Sequence, residues 1–145
     1  MRTVISLTLG ILLAYVVGSM LGTQVVLSNV ASMGLNVTLA MRWSSSLSDV
    51  AGLMGSLLPL MAIALLPGWL ILDWLGRRST THVAAGWYVL AGAAGIAILH
   101  PALTLAFGID VFAPARTLPG VLGQAVAGGL GGRVVVLSRR GRVGR

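Results

Sequence analysis

Four stretches of the chain, residues 3–28, 50–72, 83–107 and 118–137, are each as long and apolar as one bilayer crossing requires. A spanning helix needs about 20 mostly apolar residues. Inside lipid its backbone groups must be satisfied within the segment, which a helix does by construction. Composition agrees, because charged residues make up 9% of the chain against about a quarter in ordinary globular proteins. Thirteen formal charges cannot coat a soluble fold of 145 residues. The expected fold class is therefore an all-α integral membrane protein with four transmembrane helices. Residues 1–137 form the transmembrane domain and residues 138–145 a basic, disordered cytoplasmic tail. The apolar run from Val4 to Leu27 is too long for the core of a secretory signal, and reads as a retained first span.

Orientation follows from the arginines, which carry all the positive charge, since lysine and glutamate are absent. Arg2, Arg77, Arg78, Arg139, Arg140, Arg142 and Arg145 fall on one side of the expected layout, with Arg133 able to snorkel there from the last span, and Arg42 and Arg116 on the other. The positive-inside rule then puts both termini in the cytoplasm and residues 30–48 and 108–116 outside. Trp69, Trp74, Trp87 and Tyr88 suit an interfacial belt on the inner side. The localisation this implies is a bacterial inner (plasma) membrane, with the lipid bilayer as the first partner. Nucleic acid is not expected as a partner, because the basic residues sit at helix ends and form no soluble basic face.

Local signals refine the layout. Pro59 and Pro67 should bend the second span and Pro101 the third, each by removing a backbone donor. Thr117, Leu118 and Pro119 make a good start for the fourth, a hydroxyl cap followed by proline in the first turn. In the first outer loop Leu35, Val37, Leu39, Met41 and Trp43 alternate with Asn36, Thr38, Ala40 and Arg42, a period of two. Two readings of this stretch stand. One is a short extended or β segment paired with the second outer loop around residues 109–113; the other is an irregular loop resting its apolar side chains on the bilayer.

Small residues recur every fourth position. Gly10, Ala14, Gly18 and Gly22 mark the first span, while Gly120, Gln124, Gly128 and Gly132 mark the fourth beside a second row, Gly123, Ala127 and Gly131. In lipid, helix association depends on close backbone approach, so these faces are helix-packing faces. Their extent on so short a chain points to contacts between subunits as well, hence to a homo-oligomer.

Catalytic signals are weak. Cysteine is absent, which excludes disulfides, thiolate metal sites and thiol catalysis. Ser44, Ser45, Ser46, Asp49 and His100 contain the residue types of a hydrolytic triad but no nucleophile elbow, and serines and an aspartate before a helix serve as caps. Metal ligation would need more donors than His100 offers, with His82 on the opposite side. No cofactor, metal or catalytic residue is expected, and the chain leans away from enzymes.

Polar residues within spans do stand together. Gln24, Ser56, His100 and Gln124 all fall within about 6–11 Å of the outer boundary, with Asp49 and Arg116 just above. His100 shares its face with Ala97, Ala93 and Gly86. These six side chains are the candidates for a pocket or pore lining, with His100 and Gln124 contacting the ligand and Arg116 drawing in anionic groups; alternatively they hydrogen-bond one another and hold the bundle together. No carboxylate is expected within the hydrocarbon, which disfavours an ion-coupled pump. The expected function is a homo-oligomeric channel- or transporter-like protein for a small solute. The alternatives are an accessory or scaffold subunit working with other membrane subunits and, behind it, an outer-leaflet lipid-modifying enzyme.

Overall fold

A computed structural model of the chain describes residues 2–78, 83–108 and 112–140. Those residues are all-helical, without strands. In chain order the helices are α1 (Arg2–Ser32), α2 (Leu39–Gly52), α3 (Leu57–Arg78), α4 (Ala85–Phe107) and α5 (Leu118–Arg140), with one 3-10 turn at Ala113–Arg116. Four of them, α1, α3, α4 and α5, are long and apolar enough to cross a membrane.

The helix ends follow local chemistry. The Thr117 hydroxyl accepts the Gly120 N–H at 3.3 Å and Pro119 lies in the first turn of α5. α4 stops where Gly108 takes a left-handed conformation (φ 69°) and its N–H returns to the Thr104 carbonyl at 2.8 Å, a glycine C-cap. Pro59 falls in the first turn of α3, where a missing N–H costs nothing. Only Pro67 and Pro101 lie in helix interiors. α5 continues through residues 138–140, where the sequence predicts a disordered tail to begin; residues 141–145 lie outside the described residues.

Two expectations at the α2 end of the bundle are overturned. Helix α3 begins at Leu57, because residues 50–52 complete a separate helix, α2. The alternation from Leu35 to Trp43 is not a strand either: Thr38 caps α2 by accepting the Met41 N–H at 3.2 Å. A lone strand would leave its edge groups without partners, whereas the helix satisfies its own. A longer helical period overrides the alternation. Arg42, Ser46 and Asp49 share the face toward α1, while Leu39, Trp43 and Leu47 point away and are exposed. Ser44, Ser45, Ser46 and Asp49 therefore lie inside α2 and do not cap a following helix. The proposed partner loop lies largely outside the described residues.

Helix α5 sits between α1 and α4, and α3 packs against α4 and α1. Glycine sets the spacing. A Cβ on Gly128 would overlap the Gly92 carbonyl, one on Gly132 would overlap that of Tyr88, and one on Gly10 would stand 2.5 Å from Val135 Cγ2. All these neighbours belong to the same chain. Below Gly18 the centre is filled by Ala14, Tyr15, Met61, Leu65, Trp69, Ile96, Ala127 and Val135, each nearly or fully buried. The periphery is apolar and open, with Ile63 69% and Leu105 87% exposed. Such an exterior suits lipid and not water. Trp69 is core, its indole N–H donating to the Tyr88 carbonyl at 3.0 Å, so it is no belt residue. Trp74 and Trp87 are exposed, and Arg78 stacks on Trp74 at 4.5 Å.

The end of the bundle opposite α2 is tied by one ion pair. Arg139 grips Asp73 with two N–H donors at 2.6 and 3.1 Å, and its third nitrogen donates to Ser6 Oγ at 3.1 Å. The Tyr88 hydroxyl donates to Asp73 and accepts from Arg139 at 3.2 Å. α1, α3, α4 and α5 thus each contribute one side chain to a single cluster.

Candidate functional site

The polar groups at the α2 end converge on Gly22 of α1. A Cβ there would stand 3.0 Å from Pro114, 3.1 Å from the Phe112 ring tip and 3.3 Å from Gln124 Nε2. Glycine here lets the segment after α4 and the α5 amide close tightly over α1 at one point. Gln124 is fully buried and donates to the Gly18 carbonyl at 2.7 Å, a bond across two spans; its Oε1 has no partner. That single acceptor fixes which way the amide points. One turn further along α1, Thr23 Oγ1 lies 2.6 Å from an Asp49 carboxylate oxygen and 3.0 Å from the Ser19 carbonyl.

Between α1, the end of α2 and the 112–114 segment lies a cavity of about 230 Å³. Ser19, Gly22, Thr23 and Asp49 give it a polar side; Val26, Leu53, Phe112 and Pro114 are among its apolar walls. Ser19 is 1% exposed and its hydroxyl oxygen has no partner. Behind Phe112, the His100 ring stacks at 5.5 Å and 11°. His100 is 4% exposed, and neither ring nitrogen is hydrogen-bonded among the described residues. It stands in line with Tyr88, Gly92 and Ile96, the buried face of α4, whereas Gly86 is open. Four buried polar atoms without partners among the described residues thus cluster at one end of the bundle. Native interiors leave very few such atoms, and each calls for a water, ion or ligand.

The six residues singled out from sequence divide. Asp49 lines the cavity, Gln124 abuts Gly22, and His100 joins through Phe112. Gln24 turns aside: it donates to Ser46 Oγ at 3.0 Å and accepts from Arg42 at 2.8 Å, pinning α2 to α1. It also lines a second groove of about 520 Å³ between α1 and α5. Ser56 is exposed and turns back to the Leu53 carbonyl. Arg116 is exposed in the 3-10 turn. Gln24, Asp49, Ser56 and Gln124 bond to backbone, to Thr23 and to Arg42 and Ser46 of α2. Sequence reasoning missed Ser19, Thr23 and Phe112. The first two were legible as hydroxyls spaced by four beside the Gly18–Gly22 row; Phe112 carried no local signal. Among the described residues no three His, Asp or Glu side chains gather as a metal site would require.

With this geometry in hand, comparison with known proteins adds no analogy: no protein family matches the sequence, and no curated protein or solved structure matches it either.

Proposed function

We propose that the chain is a solute-binding membrane protein of the channel or transporter type, whose cavity at Gly22 receives a small polar solute from outside. The observation that carries this reading is a cavity lined by the Asp49 carboxylate and by the buried Ser19 hydroxyl, which has no partner among the described residues. The arginine asymmetry supports a cytoplasmic Arg139 end and an outward-facing α2 end.

Two further features favour a binding role. α2 has inverted polarity, with Arg42, Ser46 and Asp49 inward and Leu39, Trp43 and Leu47 outward. That pattern suits a helix lying in lipid. Thr23 stands about 25 Å along α1 from the Ser6 level, and would lie inside a hydrocarbon layer of roughly 30 Å if that layer starts there. Asp49 at Thr23 is then an intramembrane carboxylate near the outer boundary, so the objection to ion coupling from missing carboxylates lapses. Ionisable residues at such depth mark pathways and binding sites.

Proteoliposomes loaded with small neutral, anionic and cationic solutes test the reading by efflux. At least one solute should leave faster than from protein-free vesicles. Val26→Trp, which fills the cavity from its half-exposed rim, should suppress that flux at unchanged melting temperature. Equal efflux with and without protein, for every solute, would overturn it.

A second reading, an accessory subunit, is favoured by the solid packing between Gly18 and the Arg139 cluster. The glycine rows at Gly10, Gly18, Gly22, Gly128 and Gly132 are occupied within the chain, so a homo-oligomer would use other surfaces. Co-purification of a fixed set of other membrane subunits would support that reading.

A further inference from the structure

We infer that the cavity at Gly22 selects a small organic cation of the ammonium class, with Asp49 as its counter-charge. The inference rests on the solute-binding reading and adds the chemistry of the solute.

Asp49 is the one ionisable side chain among the residues lining the cavity. Its only side-chain partner among the described residues is Thr23 Oγ1. That hydroxyl has one hydrogen and two acceptors in reach, the carboxylate and the Ser19 carbonyl. The carboxylate therefore shares that one hydrogen with a backbone carbonyl and has no ion-pair partner among the described residues. The nearest basic residue on the same face, Arg42, is engaged by Gln24 Oε1 at 2.8 Å and forms no ion pair with Asp49. In a chain of net charge +7, a carboxylate facing a cavity without a counter-ion is a deliberate local reversal of sign. A half-buried carboxylate gains from a nearby opposite charge, and a bound cation would supply it.

The remaining lining identifies the kind of cation. Ser19 Oγ, buried and unpartnered, is an acceptor for an N–H donor, and an ammonium group presents several donors at once. Val26, Leu53, Phe112 and Pro114 offer apolar walls for carbon substituents. A divalent metal ion is favoured by several charged ligands, and among the described residues no three His, Asp or Glu side chains gather. At about 30 Å³ per water, a cavity of about 230 Å³ suits a molecule of roughly ten non-hydrogen atoms or fewer. The shared chemistry is an alkylammonium, supplied either as a free solute or as the ethanolamine headgroup of a phospholipid.

The test is calorimetric titration of the full chain in nanodiscs of phosphatidylglycerol with ethylammonium, tetramethylammonium, tert-butanol and acetate. Saturable binding of a cation, with acetate silent and tert-butanol at least about tenfold weaker, is expected. Asp49→Asn should weaken cation binding at least about tenfold, the scale of a lost charge-assisted hydrogen bond, and leave the weak tert-butanol signal unchanged. Because Asp49→Asn keeps the side-chain shape, its melting temperature reports on folding separately, and Ser19→Ala gives a second variant with a smaller loss. Repeating the titration in discs containing phosphatidylethanolamine separates the sources: reduced apparent affinity there indicates headgroup occupancy, unchanged affinity a free solute, and both support the cation. Binding of tert-butanol or acetate that matches or exceeds the cations, or cation binding indifferent to Asp49→Asn, would overturn the inference while leaving the solute-binding reading intact. Cation binding without any liposome flux would do the reverse.

Discussion

Adding one methyl group at Gly131 tests whether backbone contact holds the bundle together. A Cβ at this position of α5 would lie 2.6 Å from the Gly10 carbonyl oxygen and 3.0 Å from Ala14 Cβ, both on α1. Ordinary contact begins near 3.4 Å, so α1 and α5 must part by about 0.8 Å. Neither neighbour is the free end of a flexible side chain, and the strain cannot be relieved by a rotamer change. Overpacking of this kind costs about 1–3 kcal/mol. Two residues earlier on the same helix, Gly129 offers a matched control, because its Cβ would meet Val89 at 3.4 Å, an ordinary contact. Stability can be read from tryptophan fluorescence during titration of mixed micelles with SDS. In SDS the unfolded reference stays largely helical, so the usual helix-propensity gain of alanine over glycine largely cancels. Gly131→Ala should therefore lose about 1–3 kcal/mol and Gly129→Ala should stay within about 0.5 kcal/mol of wild type. Equal stability of the two variants would refute the close α1–α5 contact.

The ion-pair cluster should also register. Asp73→Ala leaves a partly exposed Arg139 without its bidentate partner and should cost about 2 kcal/mol, of which Asp73→Ala with Arg139→Leu recovers part; a double variant no better than the single in the same SDS titration would contradict the pairing. If the outer face of α2 lies in lipid, Trp43, 62% exposed, should be quenched by brominated lipids in a variant whose other tryptophans are phenylalanine; quenching by aqueous iodide alone would place α2 in water. Single cysteines at Asn36 and Gly76 should label from opposite sides of intact membranes, and labelling of both from one side would end the proposed topology.

What the sequence determined is the part governed by the solvent. Twenty-residue apolar runs and few charges are read against lipid as the medium, and α1, α3, α4 and α5, each long and apolar enough to cross it, follow from them without tertiary information. The cap at Thr117 and the stop at Gly108 are likewise local, each set by residues within one turn. The glycine rows show which faces approach closely but not what they meet, because a missing side chain is compatible with any partner; only the packing assigned them to Gly92, Tyr88 and Val135 of the same chain. Helix α2 was misread because nine residues of alternation carry a period of two just as well as a fragment of a helix does, and the deciding residues, Ser46 and Asp49, lie beyond it. The site was legible only in part for a related reason. Depth along a helix follows from counting, so Gln124 and His100 could be placed in one layer. Direction around the axis and the path of a loop depend on which helix lies beside which. That is why Asp49 turned inward to Thr23, why Gln24 turned to Arg42, and why Phe112 closes over Gly22.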